Sequence, residues 1–204
     1  MSYSELDSYL TVSHLTASSQ ITVKGSRFIA QVFHVQDQRQ ADKRYLDICK
    51  VFHDATHNCF AYRIDKSDFR YSDNGEPSGT AGYPIFKILE GHSLFQTLIV
   101  VTRYFGGKKL GPGGLMRAYS EVTRSALAKA KILKKINYTS MDIKTDYVHL
   151  ASLKNLVKKY HGVMKSPRYA EYVHIHINIP SSKIESFHYE LKKFIHYGVK
   201  IIKP

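Results

Sequence analysis

The segment from residue 97 to residue 117 most restricts how this chain can fold, because a glycine-rich stretch joins an apolar run to a helical pattern. Thr97–Thr102 is short, apolar and β-branched, which predicts a buried strand. From Leu115 onward, apolar residues recur at helical spacing. Five glycines and two lysines lie between these patterns. A strand, a loop and a helix start in this order direct free backbone N–H groups to one point, which suits an anion such as phosphate.

This loop matches neither of the two common phosphate-binding motifs. Gly106 and Gly111 have the Walker A spacing, but Pro112 and Gly113 follow where that motif has Lys and Ser or Thr. The dinucleotide fingerprint fails as well, because Gly111-Pro112-Gly113 continues to Met116 where a third glycine is required. A tight strand-to-helix connection, with glycines for turning and packing, therefore stays open as the alternative.

Charge is distributed unevenly along the chain. The formal net charge is +13, yet residues 1–102 hold 10 basic and 11 acidic side chains. Residues 103–135 hold 9 basic side chains and a single acid, Glu121, and residues 136–204 hold 11 basic and 5 acidic ones. A localised positive field attracts polyanions such as RNA, or an acidic protein surface. Part of this excess also fits an ordinary solvated helix face.

The composition indicates a protein of the cytoplasm. Cys49 and Cys59 form no C-x-x-C pair and imply no disulfide framework, which points to a reducing compartment. No apolar run is long enough to span a membrane, and the first ten residues are acidic where a signal peptide is basic. We therefore expect a cytoplasmic protein without a membrane partner, and the sequence predicts no particular oligomeric state.

Two modules are predicted from the periodicity. The first half reads as strands over 21–35 around a turn at Lys24–Arg27, a helix capped by Asp37, and a strand over 58–64, which is typical of a mixed α/β layer. The second half reads as β-α-β-β-α-β, the ferredoxin-like split βαβ unit. The sequence thus predicts an α+β protein with domains at residues 1–135 and 136–204.

Three strings of residues closely resemble the YigZ/IMPACT family. They are NCFAYR at 58–63, SDNGEPSGTAG at 72–82 and VTRYFGG at 101–107, and the pattern continues to Tyr119. The resemblance covers nearly the whole chain and corresponds to the two-domain bacterial branch. It implies a first domain like the second domain of ribosomal protein S five. It also implies a second, ferredoxin-like domain similar to the C-terminal domain of elongation factor G.

The resemblance also implies a role in translation. The eukaryotic members of the family regulate translation during amino-acid stress by competing for the coactivator of a kinase that phosphorylates an initiation factor. Some bacterial members are labelled as proline peptidases, but the metal ligands of such an enzyme are not evident here. Two residues depart from the family pattern: Asn74 stands where an acid is usual, and Lys108 where an aliphatic residue is frequent.

An enzymatic alternative rests on three titratable residues. Asp73 and Glu76 are three residues apart in a turn, with His57 upstream, so an acid/base pair for a small-molecule hydrolase or a phosphate-handling enzyme is conceivable. Hydroxyls are present nearby, but no G-x-S-x-G elbow surrounds them. The competing interpretation is structural: Asp73 binds local backbone in the turn, and Glu76 or Asp73 pairs with Arg103.

No metal site and no cofactor are predicted. His53 and His57 lack the glutamate of the H-E-x-x-H motif, and His174 and His176 share one strand face, a pairing expected by chance among 11 histidines.

The preferred function is translation-associated regulatory binding of RNA, a nucleotide phosphate or a ribosome-associated protein. We expect the SDNGEPSGTAG and RYFGGKKLGPGG loops to meet at one end of the first domain's sheet. The predicted anion-binding residues are Arg103, Gly106, Gly107, Lys108, Lys109, Gly111, Gly113, Gly114 and Arg117. The predicted motif-loop residues are Asn58, Ser72, Asp73, Glu76, Pro77, Ser78, Gly79 and Thr80.

Overall fold

A computed structural model describes residues 7–14, 17–195 and 199–203. The strands are β1 (Ser8–Val12), β2 (Ala17–Val23), β3 (Ser26–His34), β4 (His57–Arg63), β5 (Phe69–Ser72), β6 (Thr97–Tyr104), β7 (Ile132–Ile136), β8 (Tyr138–Thr145), β9 (Val163–Met164), β10 (Arg168–Tyr169), β11 (Val173–Pro180) and β12 (Lys200–Lys203). The α-helices are α1 (Gln38–Val51), α2 (Gly82–Gly91), α3 (Pro112–Leu127), α4 (Leu150–Lys159) and α5 (Ile184–Ile195), the last preceded by a 3-10 turn, Ser181–Lys183.

The chain divides into two compact units, with the main division between Lys134 and Lys135. The first unit comprises residues 9–134, and the second comprises the described residues from 135 onward with Asp7 and Ser8. Both contain antiparallel sheets and helices, so the predicted α+β class is confirmed. The specific likenesses to a ribosomal protein and to elongation factor G stay predictions.

The first unit is built on a five-stranded antiparallel sheet in the order β2-β3-β6-β4-β5. Apolar side chains on one face pack against α2 and α3, and those on the other face pack with residues of α1. Neighbouring residues such as Val100 and Val101 belong to different cores, because successive side chains point to opposite faces. This explains why Thr97–Thr102 reads as a continuous apolar run.

The predicted strand–loop–helix is present in this unit. β6 is buried along almost its whole length and leads through residues 105–111 into the 16-residue helix α3. Asp37 caps α1 as predicted, its carboxylate accepting a hydrogen bond of 2.8 Å from Gln40 N. The composition of residues 70–82 is typical of turns, but the structure has the short edge strand β5 at the start of this segment. The sequence also missed β1 and β7, which pair with each other.

The second unit follows the predicted β-α-β-β-α-β order except that two short strands, β9 and β10, stand where a single strand is predicted before β11. Its sheet runs β10-β11-β8-β12, and β9 also pairs with β11. Met141 and Ile143 of β8 and the buried isoleucines of β11 alternate with polar residues, and they form one core with α4 and α5. Within the described residues, no helix is both long and apolar enough to cross a membrane.

Gly106 meets a specific steric requirement where β6 ends. A Cβ on Gly106 would overlap the backbone of Gly25 and Ser26 in the turn between β2 and β3. The Gly106 N–H donates a 3.1 Å hydrogen bond to Ser26 Oγ, which holds the two segments together. The absence of a side chain at Gly106 therefore allows two backbone segments of the first unit to touch.

We predict that Gly106→Ala lowers the free energy of unfolding by about 3 kcal/mol, because backbone atoms on both sides must move to admit the methyl group. Urea unfolding followed by circular dichroism measures this loss. Gly113→Ala is the matched control, since its Cβ would meet only the end of Arg117 at 3.8 Å. Equal stability of the two variants would contradict the steric argument.

Candidate functional site

Several loops leave the first unit's sheet at the same end. Opposite residues His57 and Arg103 place the start of β4 beside the end of β6, and the Phe60–Ser72 pair places the end of β5 next to them. Residues 73–81, here called the acidic turn, therefore emerge beside residues 105–111, here called the glycine–lysine loop. The two loops expected to meet at one end of the sheet do leave from that end.

Glu76 is the centre of a buried polar network beneath these loops. Its side chain is only 2% exposed, and Oε1 accepts hydrogen bonds of 2.7 Å from Arg103 Nη1 and 2.7 Å from Tyr119 OH. His57 Nε2 lies 3.9 Å from the other carboxylate oxygen. Arg103 Nη2 also contacts Ser26 Oγ at 3.3 Å. The structural ion pair considered from the sequence is thus present, and the Arg103 guanidinium is turned inward.

Cys59 extends this network towards the core. Its Sγ lies 2.9 Å from Asp73 O and 3.3 Å from Tyr119 OH, and the residue has no exposed surface. Burial is the main reason that the pKa of the Cys59 thiol is raised to about 12, and the Glu76 carboxylate adds to the effect. Burial also raises the pKa of Tyr119 strongly, so its hydroxyl keeps its proton and donates to Glu76.

Asp73 organises the acidic turn through the backbone. Its Oδ2 accepts from Gly79 N at 2.8 Å, and its Oδ1 accepts from Ala81 N at 2.9 Å and Gly82 N at 2.8 Å. These donors include N–H groups at the start of α2, which have no acceptor within the helix. A carboxylate at this position also interacts favourably with the helix dipole. Asp73 therefore fixes the turn and the beginning of α2.

The neutral residues of the motif mostly bind neighbouring backbone. Ser72 Oγ accepts from Asn74 N at 3.2 Å, and Thr80 Oγ1 donates to Pro77 O at 2.6 Å. Ser78 is exposed. These contacts stabilise the shape of the acidic turn.

The side-chain amide of Asn74 connects the acidic turn to β4, and that of Asn58 connects β4 to β6. Asn58 N donates to Asn74 Oδ1 at 2.7 Å, and Asn58 Oδ1 accepts from Thr102 Oγ1 at 2.7 Å. His57 Nδ1 lies 2.8 Å from Asn74 O, so the ring donates to that carbonyl. An asparagine at position 74 thus supplies an acceptor and a favourable turn geometry, with φ at 45°.

The glycine–lysine loop faces solvent. Lys108 and Lys109 are exposed, as are Gly106 and Gly107. Gly107 has a φ of 83°, which side-chain-bearing residues rarely adopt.

The loop leads directly into the first turn of α3. Gly111 precedes the helix with a φ of 72°, and no side chain caps the helix start. Gly113 and Gly114 lie in its first turn, and Arg117 is exposed one turn further on. The backbone N–H groups of this turn are therefore not taken by a capping side chain.

Two further cations lie at this end that the sequence does not predict there. Lys24 and Arg27 are exposed on the β2–β3 turn, and the Arg27 guanidinium lies 4.4 Å from the centre of the Tyr104 ring. The sequence predicts the turn itself, but its place beside the end of β6 depends on the pairing of Arg27 with Tyr104. This pairing joins strands about 75 residues apart in sequence, and no local pattern encodes it.

The two histidine pairs noted in the sequence lie in different surroundings. His57 begins β4 while His53 precedes it in a turn, so the two do not share a helix face. His176 contacts Asp142 at 2.9 Å, whereas His174 is exposed. Within the described ranges, no group of three or more His, Cys, Asp or Glu is arranged to hold a metal ion.

We predict that Glu76→Gln lowers the free energy of unfolding by about 3 kcal/mol, because it leaves Arg103 buried without its counter-charge. Urea unfolding measures the change. Glu121→Gln on the exposed surface of α3 is the control and should stay within about 0.5 kcal/mol of the parent protein. A Glu76→Gln variant as stable as this control would contradict the structural role of the pair.

We also predict that only one of the two cysteines reacts quickly with a thiol reagent in the native protein at pH 8. Cys59 is buried and has its pKa raised to about 12, so its thiolate is scarce and shielded. Cys49 is partly exposed. Absorbance with Ellman's reagent should show one fast thiol, none in Cys49→Ala, and both cysteines of the parent chain after denaturation. A fast native reaction in Cys49→Ala would refute this.

Comparison with known proteins places the chain in a family. Residues 24–127 match the family described as the Impact N-terminal domain, and residues 143–194 match a domain of unknown function (DUF1949). IMPACT family member YvyE of Bacillus subtilis is 35% identical over 184 residues, covering 89% of this chain and 84% of that protein. IMPACT family member YigZ of Escherichia coli is 30% identical over 185 residues, covering 88% and 90%.

The likeness to a solved structure extends over both units. That structure, the crystal structure of an hypothetical protein, is 27% identical, has a TM-score of 0.68 and covers 97% of this chain and 98% of its own. The Impact N-terminal match spans more than half of the chain, and the two relatives match most of it at 30% identity or more. The chain therefore belongs to the IMPACT family.

Proposed function

We propose that this protein is a translation-associated regulatory protein that binds a phosphate-bearing ligand, with RNA as the first candidate, through the glycine–lysine loop. The association with translation follows from the resemblance to the YigZ/IMPACT family, whose eukaryotic members act there. The geometry of the first unit supports this choice of site. A cytoplasmic location accompanies this proposal, since its ligand class is found there.

The observation that carries the proposal is the exposed loop that ends at an uncapped helix. Lys108 and Lys109 are exposed immediately before the first turn of the 16-residue helix α3. A phosphate at such a helix start can accept from backbone N–H groups and benefits from the helix dipole. Two lysines on the same loop add a charge attraction that a neutral ligand would not use.

The acids at this end of the sheet do not cancel the positive charge. Glu76 is buried against Arg103, and the Asp73 carboxylate is occupied by three backbone N–H groups. Exposed Asp54 accepts a 2.8 Å hydrogen bond from Tyr104 OH. By contrast Lys108 and Lys109, together with Lys24 and Arg27 on the neighbouring turn, are exposed. The field at this end is therefore suited to an anion.

The same contacts favour binding over hydrolysis. A general base must reach a substrate proton with a free lone pair. Both oxygens of Asp73 accept backbone hydrogen bonds, and the Glu76 side chain is 2% exposed with Oε1 already accepting two. These carboxylates support the turn and the core, whereas the loop lysines are accessible to a ligand.

We predict that Lys108→Ala combined with Lys109→Ala weakens RNA binding and flattens its salt dependence. Each phosphate contact that is lost should reduce the slope of log affinity against log salt by ~0.7 for single strands. Fluorescence anisotropy with a labelled RNA oligonucleotide at several salt concentrations measures both quantities. Lys43→Ala combined with Lys50→Ala removes the same charge from exposed positions of α1 and serves as the control.

Two results would contradict the proposal in different ways. If the loop variant and the α1 variant bind alike in affinity and slope, the loop is not the anion site. A different result would be that the protein still binds a ribosome-associated partner after nuclease treatment and at high salt. Direct protein–protein docking would then explain that binding better, because RNA is digested and charges are screened under those conditions.

A further inference from the structure

A row of basic side chains crosses the sheet of the second unit. The strand register places Arg168 of β10 opposite His174 of β11, His174 opposite Lys144 of β8, and Lys144 opposite Lys200 of β12. Directly opposite residues in antiparallel strands project from the same face of a sheet. These four residues, here called the cationic row, therefore share one face and span the sheet order β10-β11-β8-β12.

This row lies on the face opposite the hydrophobic core. The residues that alternate with it, such as Ile143 and Ile175, are buried with α4 and α5. Arg168, His174 and Lys200 are exposed, and Lys144 is half-buried. A surface cavity of about 840 Å³ is lined by Arg168 and His174, with Lys165 and Asp142 also at its wall. The row is therefore accessible to a ligand.

The direct pairing of Lys144 with Lys200 in this row is unfavourable unless a negative group accompanies it. Like charges directly opposite each other destabilise a sheet. The row itself contains no acid, and the nearest acid along β8, Asp142, lies opposite His176 and contacts it at 2.9 Å. Strands are spaced 4.7–4.9 Å apart, so four neighbouring side chains cover about 15 Å. That length fits several negative groups in succession better than one isolated ion.

An aromatic ring beside the row favours nucleic acid over other polyanions. The Tyr172 ring centre lies 3.7 Å from Lys144 Nζ, and the residue is 36% exposed. Unpaired bases stack on aromatic rings, histidine and arginine planes, and four-stranded sheets of proteins that bind single-stranded RNA combine such rings with basic residues. A duplex offers no free base faces to Tyr172.

We infer that this sheet face binds a single-stranded segment of RNA, with its phosphates along the cationic row and a base against Tyr172. Only the choice of RNA among single-stranded nucleic acids rests on the proposed role in translation. Every residue that forms this surface belongs to the second unit, whereas the glycine–lysine loop belongs to the first. The two sites can therefore be tested separately.

The first test removes charge from the row in the full chain. Arg168→Gln with Lys200→Gln should weaken binding of a fluorescein-labelled single-stranded 12-nucleotide RNA, and the log–log salt slope should fall by ~1.4 for two lost phosphate contacts. Lys154→Gln with Lys158→Gln removes the same charge from exposed positions of α4 and should leave the slope unchanged. Equal slopes and affinities for the two variants would overturn the inference.

The second test separates base stacking from charge. Tyr172→Leu should weaken binding of the same RNA by at least about fivefold, whereas Tyr172→Phe should preserve it, since base–aromatic stacking is worth that much per base. Inorganic polyphosphate has no bases, so its affinity should not change with either substitution. If Tyr172→Leu leaves the RNA affinity unchanged, or lowers RNA and polyphosphate binding equally, the assignment to single-stranded RNA is overturned.

The loop variant distinguishes a failure of this inference from a failure of the proposed function. Loss of RNA binding in the row variant, with normal binding in Lys108→Ala/Lys109→Ala, supports the sheet site and contradicts the loop site. The reverse result contradicts the sheet site alone. Circular dichroism of each variant verifies that the changes in affinity do not come from unfolding.

Discussion

The buried contact between Arg103 and Glu76 determines the organisation of the first unit's loop end. It joins the end of β6 to the acidic turn, and Tyr119 joins both to α3 through the same carboxylate. These groups lie 27 and 43 residues apart in sequence, so one carboxylate fixes three distant segments. An ion pair of this kind is weak evidence for net stability, because removing both charges from water is costly. The effect of this ion pair is to fix the positions of the three segments, because losing one partner would leave the other charge buried and unpaired.

This network also determines which charges remain available at the surface. Glu76 and Asp73 are bound to internal partners, while Lys108 and Lys109 are exposed on a loop that leads into a helix start without a side-chain cap. The close packing of Gly106 on Gly25 supports the base of that loop. The acidic turn and the glycine–lysine loop thus have different roles: the first shapes this end of the sheet, and the second presents charge to solvent.

Local patterns were sufficient to predict most elements but not the partners of individual side chains. The strand–loop–helix around residues 97–127 and the β-α-β-β-α-β order followed from periodicity, because each depends on residues close in sequence. Arg103 is different: as part of a basic stretch it was expected at the anion site, yet its guanidinium faces Glu76. That choice depends on the pairing of β4 with β6, which brings Arg103 next to His57. The role of Gly106 at Gly25 depends on the β3–β6 pairing in the same way.

The cationic row gives the clearest example of information that only strand register reveals. Lys144, Arg168, His174 and Lys200 are scattered over more than 50 residues and form no charge run. The strand register places these residues in a line across four strands, whereas the two lysines of the glycine–lysine loop are adjacent in sequence. The two surfaces consequently differ in the ligand that each can satisfy. One phosphate at a helix start is enough for the loop, but a row about 15 Å long requires several phosphates in succession. Under the two proposals, a mononucleotide would suffice for the first surface, whereas the second would be filled by an extended polyanion.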